Sequence, residues 1–392
     1  MSANIQRRQL LKQGVLLAGA LPFASSFFQK AAAGPVAPPV TFAMSDLAIE
    51  DQIAQGLPPE LKARLFANEN PFGPSQKAKQ AVIDALGNSY QYGFAQTHEL
   101  LKLIAAEEGV PERSIILSAG SSALLEAAAI CFNQPGGNIV SADPSYRDLP
   151  DKGTELNAEW IKVPLTADYK TDLDAIEKSI TAKTNVVYIC NPNNPTATVV
   201  DTEKLVSFCK RVSEKVPVFV DEAYIDYLPD VKAASMIRLV KDGLKNVMVV
   251  RTFSKLYGFA GLRIGYMIAD KDTLDKVGKY AQGPNGISVT SAQAAIAAYQ
   301  DKEFLKEALK KTVASREYLY SVLKAEGYEY IPSSANFVLF PIKMDSMKFI
   351  QEMSKRGVGV RSWKFNNKEW CRVSIGRMDE MEAFAAAFKE IS

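Results

Sequence analysis

The chain has 392 residues, of which 47% are hydrophobic, 23% charged and 9% aromatic, a composition that can bury a sizeable core and excludes a disordered chain. Its formal net charge is +2, and residues 1–33 carry four bases and no acid, so the remainder stands at −2. That balance excludes the basic stripe expected of a nucleic-acid or anionic-membrane binder, while the length predicts two or three domains.

In chain order, the first segment reads as an address. Arg7-Arg8-Gln9-Leu10-Leu11-Lys12 precedes a mostly apolar run over 14–28 and then Ala31-Ala32-Ala33, the order of a basic start, an apolar stretch and a small-residue cleavage site. The run is shorter than the roughly 20 apolar residues that span a bilayer, so no stable membrane insertion is expected. The paired arginines resemble a twin-arginine (Tat) export signal, which implies a signal peptide over 1–33 and a periplasmic protein. Residues 34–74, with Pro35, Pro38 and Pro39 near their start, read as a linker and N-terminal arm.

Helices are predicted over 75–86 and 97–108, the second capped by Thr97 and stopped by Gly109 before Pro111. Ile115-Ile116-Leu117 predicts a buried strand leading through Gly120-Ser121-Ser122 into a helix over 123–132. Apolar strands follow at 186–190, 218–220, 247–250 and 264–268. Strands separated by helices imply an α/β fold with a mainly parallel sheet sandwiched by helices. A helical pattern from 290 to about 325, with strands at 337–340, 358–361 and 372–375, predicts a smaller α+β domain over 290–392 beside a large domain over 75–289.

Cys131, Cys190, Cys209 and Cys371 lie far apart without CxxC spacing, which predicts core thiols and neither a zinc site nor a disulfide scaffold. His98 is the only histidine. No metal is therefore expected, and its place near a predicted helix start favours a structural role.

The chemistry centres on lysine. A predicted strand ends in Arg251-Thr252-Phe253-Ser254-Lys255, and the glycine-rich run to Gly265 carries Arg263. Two hydroxyls and a guanidinium suit a phosphate dianion, and a lysine beside it can form a Schiff base with a bound aldehyde. This combination points to pyridoxal phosphate, although by spacing alone a surface lysine is an equal reading. Asn191-Pro192-Asn193-Asn194-Pro195-Thr196 and Asp221-Glu222-Ala223-Tyr224 each follow a predicted strand, where open α/β sheets place their ligand groups.

Taken together, these segments and Gly261-Leu262-Arg263 resemble the signature set of the fold-type I pyridoxal phosphate enzymes, the class I/II aminotransferases, in particular the histidinol-phosphate aminotransferase branch. Asn68-Glu69-Asn70-Pro71-Phe72-Gly73-Pro74, Ser334-Ala335-Asn336-Phe337 and Arg372-Val373-Ser374-Ile375-Gly376 support the likeness, which covers about residues 65–390 in the family's order. The resemblance implies that Lys255 binds the cofactor covalently and then moves the proton, with Asp221 pairing with the pyridine nitrogen. It also implies that Asn194 and Tyr224 contact the phenolate oxygen and that Tyr146 stacks on the ring. Gly120, Ser121 and Ser122 at a helix start, with Thr252 or Ser254 and Arg263, would hold the phosphate. Tyr90, with Tyr92 competing for the part, would cross a homodimer interface to the neighbour's phosphate. Arg372 would grip the substrate's carboxylate by a bidentate pair, with Asn336 beside it.

The implied reaction transfers an amino group between an L-amino acid and a 2-oxo acid by a ping-pong cycle. A pyridoxal phosphate lyase or decarboxylase on the same scaffold, resembling threonine-phosphate decarboxylases, is the alternative. Ala197 stands where the family usually has glycine, and Tyr90-Gln91-Tyr92 lacks the usual Tyr-Pro. Export also removes the reason to use histidinol phosphate as substrate. Arg361 reads as an exposed charge at a strand end, with contact to an acidic substrate group as the alternative. No helix-turn-helix and no GxGxxG after an early strand supports a regulator or a dinucleotide enzyme.

Overall fold

The computed structural model describes residues 61–392; the expected export signal and the linker up to residue 60 lie outside the described residues. In chain order the strands are β1 (Ala63–Arg64), β2 (Ile115–Ser118), β3 (Asn138–Asp143), β4 (Glu159–Pro164), β5 (Thr184–Cys190) and β6 (Val218–Asp221), then β7 (Val247–Thr252), β8 (Gly265–Ala269), β9 (Phe337–Ile342), β10 (Val358–Gly359), β11 (Arg361–Phe365) and β12 (Lys368–Ser374). Seven of them form the central sheet in the order β2-β8-β7-β6-β5-β3-β4. Only β8 runs against the others. The mainly parallel α/β sheet predicted from the sequence is the one observed.

The middle strands are continuous apolar runs because both of their faces are covered. Val187, Ile189, Val218, Val220, Val247 and Val249 enter the core on one face. Val186, Tyr188, Phe219, Met248 and Val250 enter the core on the other. Each such side chain contributes about 1.5–3 kcal/mol by leaving water.

Helix α1 (Gln76–Ala85) starts at Ser75, whose hydroxyl accepts from the Ala78 N–H. Helix α2 (Phe94–Glu108) begins three residues before the predicted Thr97 cap. Gly93 is the cap residue, and the Thr97 hydroxyl bonds back to the Gly93 and Phe94 carbonyls inside the helix. Helix α3 (Ser122–Phe132) follows β2 as predicted. The long helical stretch after residue 289 is two helices, α4 (Val289–Gln300) and α5 (Lys302–Ala325), broken at Asp301 with φ −87° and ψ 63°. Helix α4 shares the main core through Ala292, Ala295, Ile296 and Tyr299.

The second sheet is antiparallel, in the order β11-β12-β9. The strand expected over 358–361 divides in two: β10 pairs with β1, and β11 begins at Arg361 and pairs with β12. In that ladder Arg361 lies opposite Arg372, and Trp363 opposite Trp370. Tyr169, from the loop after β4, packs edge-on against Trp370 with centroids 5.2 Å apart. Among the described residues no helix is long and apolar enough to cross a membrane.

Candidate active site

The predicted site residues converge because parallel strands end side by side. Gly120 to Ser122 follow β2, Tyr146 follows β3 and Asn194 follows β5. Asp221 closes β6, while Thr252 closes β7 and leads to Lys255. These are the carboxyl ends of the strands, where an open α/β sheet leaves its crevice.

Asp221 is 2% exposed. Its carboxylate accepts from the Tyr188 hydroxyl at 3.0 Å and from the Ala223 N–H at 3.0 Å. Burial pushes its pKa from 3.8 up to about 6, against the lowering exerted by those two hydrogen bonds and by the Lys255 charge. Among the described residues Asp221 forms no ion pair, so burial dominates its pKa.

Lys255 Nζ lies 5.2 Å from the Tyr224 ring centre and donates to the Asn68 carbonyl at 3.3 Å. The same carbonyl accepts from Asn336 Nδ2 at 3.1 Å. Asn68 also donates from Nδ2 to the Tyr224 hydroxyl at 3.1 Å and accepts at Oδ1 from the Ser374 hydroxyl at 3.0 Å. A residue of the arm therefore ties the lysine turn to β9 and β12.

Arg372 is buried on β12. It donates from Nη1 to Asn194 Oδ1 at 2.7 Å and from Nη2 to the Phe66 carbonyl at 2.7 Å. Its guanidinium lies 5.4 Å from the Phe337 ring centre, within cation–π range.

The loop between β7 and β8 makes a hydroxyl-rich cup. Thr252 donates to Ser254 Oγ at 3.0 Å, and Arg263 Nη1 donates to the same oxygen at 3.1 Å. Gly120 has φ +85°, and a Cβ there would collide with the Arg263 guanidinium. A Cβ on Gly265 would stand 2.5 Å from the Ser121 nitrogen and 2.6 Å from the Gly120 carbonyl carbon. Two absent side chains thus let a helix start, a guanidinium and a serine meet in one place, the arrangement a phosphate group requires.

Tyr146 is half-buried, and its hydroxyl donates to Asp148 at 2.7 Å. Burial and then the Asp148 charge push its pKa well above the usual tyrosine range, with the Ser122 hydroxyl opposing. Tyr90 and Tyr92 are not brought to the site within this chain. They are 81% and 75% exposed, Tyr92 lies 5.5 Å from Phe94 between ring centres, and Phe94, Ile83 and Leu86 are also exposed. His98 pairs with Glu112 on the surface. Cys131 is half-buried, while Cys190, Cys209 and Cys371 are buried, and none is in a disulfide.

The donor set fits pyridoxal phosphate. A buried carboxylate suits a pyridinium, the 120–122 and 252–263 turns suit a phosphate, and a primary amine stands between them. Asn336 Oδ1 is buried without a hydrogen-bond partner, a cost that a bound group would relieve. Sequence reasoning missed three contributors. Tyr188 was legible only as a strand residue, although a polar-tipped side chain inside a buried run signals a partner at its tip. Asn68 was legible as part of a motif but not as the acceptor for Lys255. Asn193, which accepts from Ser145 and donates to Thr196, braces the loop that carries Asn194.

The model of the family described as aminotransferase class I and II matches residues 62–388. Histidinol-phosphate aminotransferase of Moorella thermoacetica is 34% identical over 329 residues, covering 84% of this chain and 85% of that protein. Aromatic amino acid aminotransferase of Cutibacterium acnes is 35% identical over 334 residues, covering 84% of this chain and 94% of its own. The crystal structure of histidinol-phosphate aminotransferase from Sinorhizobium meliloti, in complex with pyridoxal-5'-phosphate, superposes with a TM-score of 0.81 at 27% identity and covers 92% of this chain and 98% of that one.

Proposed function

The chain belongs to the aminotransferase class I and II family, and from that premise we propose how its residues divide the work of moving an amino group. The protein is a pyridoxal phosphate-dependent aminotransferase of the histidinol-phosphate aminotransferase type. When bound, the cofactor supplies an electrophilic aldehyde carbon and a ring that withdraws electrons from the substrate's Cα. Lys255 would hold the cofactor through Nζ and, when the substrate's amine takes its place, would carry a proton on that atom. Asp221, ionised, keeps the pyridine nitrogen protonated. Asn194 and Tyr224 would hold the ring oxygen, and Tyr146 would pack on the ring. Gly120, Ser121, Ser122, Thr252, Ser254 and Arg263 bind the phosphate.

Arg372 is fixed by Asn194 and the Phe66 carbonyl, so it meets the substrate's anionic group without first paying for its own ordering. That group is the carboxylate of an amino acid if the protein is exported, with the phosphate of histidinol phosphate as the alternative if it is not, and relatives of both names are consistent with the pair. Asn336 offers the buried Oδ1 to the substrate's ammonium group. The observation that supports this reading is the convergence of Lys255 and Asn336 on one carbonyl, that of Asn68.

The exposed Ile83, Leu86, Tyr90, Tyr92 and Phe94 support a homodimer with shared active sites, in which Tyr90 reaches the neighbour's phosphate. The paired arginines support Tat export to the periplasm. Borohydride treatment of the cofactor-loaded protein should fix the cofactor on Lys255, located by peptide mass, and Lys255→Ala should lose both label and activity. An unlabelled lysine with activity retained would overturn the assignment. Among donors offered with 2-oxoglutarate, formation of a 2-oxo acid, or of the ketone in the case of histidinol phosphate, supports transfer, whereas carbon dioxide release without either would mark the lyase alternative.

A further inference from the structure

Behind the strand ends that carry Asp221 and Thr252 lies a buried ionic ladder that the proposed reaction does not use. Arg251, 6% exposed, donates from Nε to Glu222 Oε2 at 2.9 Å and from Nη1 to Glu108 Oε1 at 2.8 Å. Glu222 also accepts from the Met236 N–H at 2.6 Å and the Ser235 hydroxyl at 2.8 Å. Glu108 accepts from the Tyr266 hydroxyl at 3.3 Å. The ladder therefore joins the end of α2 to the ends of β6 and β7 and, through Tyr266, to β8.

Stability alone is a poor reason for such a ladder. Apolar side chains of equal volume often stabilise a buried site as well or better than charges do. Arg251 Nη2 is moreover buried without a hydrogen-bond partner, a donor left unsatisfied at a cost. What the ladder supplies is alignment. Glu222 directly follows Asp221, and Arg251 directly precedes Thr252. The Glu222 N–H donates to the Val250 carbonyl at 2.9 Å, so the two dipeptides lie side by side.

We propose that Glu222, Arg251 and Glu108 are positioning residues that fix the end of β6 against the end of β7, and so hold the Asp221 carboxylate in register with the Lys255 turn. The inference rests on the roles proposed above for Asp221 and Lys255. Glu222→Gln keeps the shape and an acceptor for Met236 while weakening the grip on Arg251. In the cofactor-loaded full chain it should speed cofactor release and lower kcat by about tenfold or more, the scale on which small misplacements act. The visible circular dichroism of the bound cofactor should change, and KM should stay within about threefold.

Glu108→Gln, one link further out, should give the same changes at smaller size. Arg251→Lys should retain more kcat than Arg251→Met at an equal melting temperature of the cofactor-free protein. The proposal is overturned if folded Glu222→Gln and Arg251→Met match the parent in release rate, dichroism and kcat within about twofold. It is equally overturned if every loss merely follows the melting temperature across the four variants. Borohydride reduction of the parent comes first: failure to label Lys255 would sink the underlying assignment, which separates that failure from failure of the ladder.

Discussion

Replacing Asp221 with Asn should stabilise the cofactor-free protein above about pH 6 while disabling the enzyme. Burial raises this carboxyl from 3.8 to about 6 in the folded chain, over the opposing effects of Ala223, Tyr188 and Lys255. Between those values the folded chain keeps a proton that the unfolded chain has released, so stability falls as pH rises through the window and the loss is complete above it. Two pKa units at about 1.4 kcal/mol each make this loss about 3 kcal/mol. Asn is neutral at every pH, and its amide oxygen can still accept from the Ala223 N–H. Urea unfolding of the cofactor-free parent and variant, followed from about pH 4 to about pH 8, should show the variant ahead by about 1–3 kcal/mol at the upper end. The gap should close toward the lower end, where both side chains are neutral. The variant's kcat should fall by about a hundredfold, equivalent to about 2.7 kcal/mol of lost transition-state stabilisation. A variant no more stable than the parent at high pH, or a gap independent of pH, would refute the reasoning.

Gly265→Ala places a Cβ about 1 Å inside the usual carbon contact distance of about 3.5 Å from the Ser121 and Gly120 backbone. The strain of about 1–3 kcal/mol should fall on the phosphate cup, weakening cofactor affinity about tenfold or more in a titration of the stripped enzyme; unchanged affinity would remove the cup from that turn. Ala197, at φ +57° and fully buried, keeps the left-handed turn that glycine would take freely. Ala197→Gly relieves about 1–2 kcal/mol of strain but gives up a buried methyl worth about 0.8 kcal/mol and adds chain entropy to the unfolded state worth about 0.5–1 kcal/mol. The melting temperature should therefore stay within about 4 °C of the parent, with kcat unchanged, and a larger shift would show that the turn is not held as described.

The strands β5, β6 and β7 were legible because both faces are covered and the code is simply apolar and β-branched. β3 and β4 were not. β3 mixes Asn138, Ser141 and Asp143 into its run, and β4 is an edge strand whose exposed Glu159 and Lys162 dilute the apolar signal. The start of α2 was misplaced because its first residue, Phe94, turns outward, so the apolar period begins only later. The break at Asp301 lacks Gly or Pro and leaves the helical pattern running straight through it. Within the site, Lys255, Asp221 and Asn194 were legible from the set of motifs that resembles the family, since their places after strands alone fit ordinary turns and a surface lysine equally well. Tyr188 and the ladder partners of Arg251 were not, because their meaning depends on which chain ends become neighbours.

The acceptor that Lys255 and Asn336 share belongs to the main chain, so no exchange of the side chain at position 68 can delete it. Saturation mutagenesis there would report on the bonds to Tyr224 and Ser374 and on tolerance of φ +52°, and would undercount what the arm does. Inserting or deleting a residue between β1 and Asn68 is the genetic change that reaches it, and an ester substitution at the following peptide, which weakens the carbonyl as an acceptor, is the chemical one.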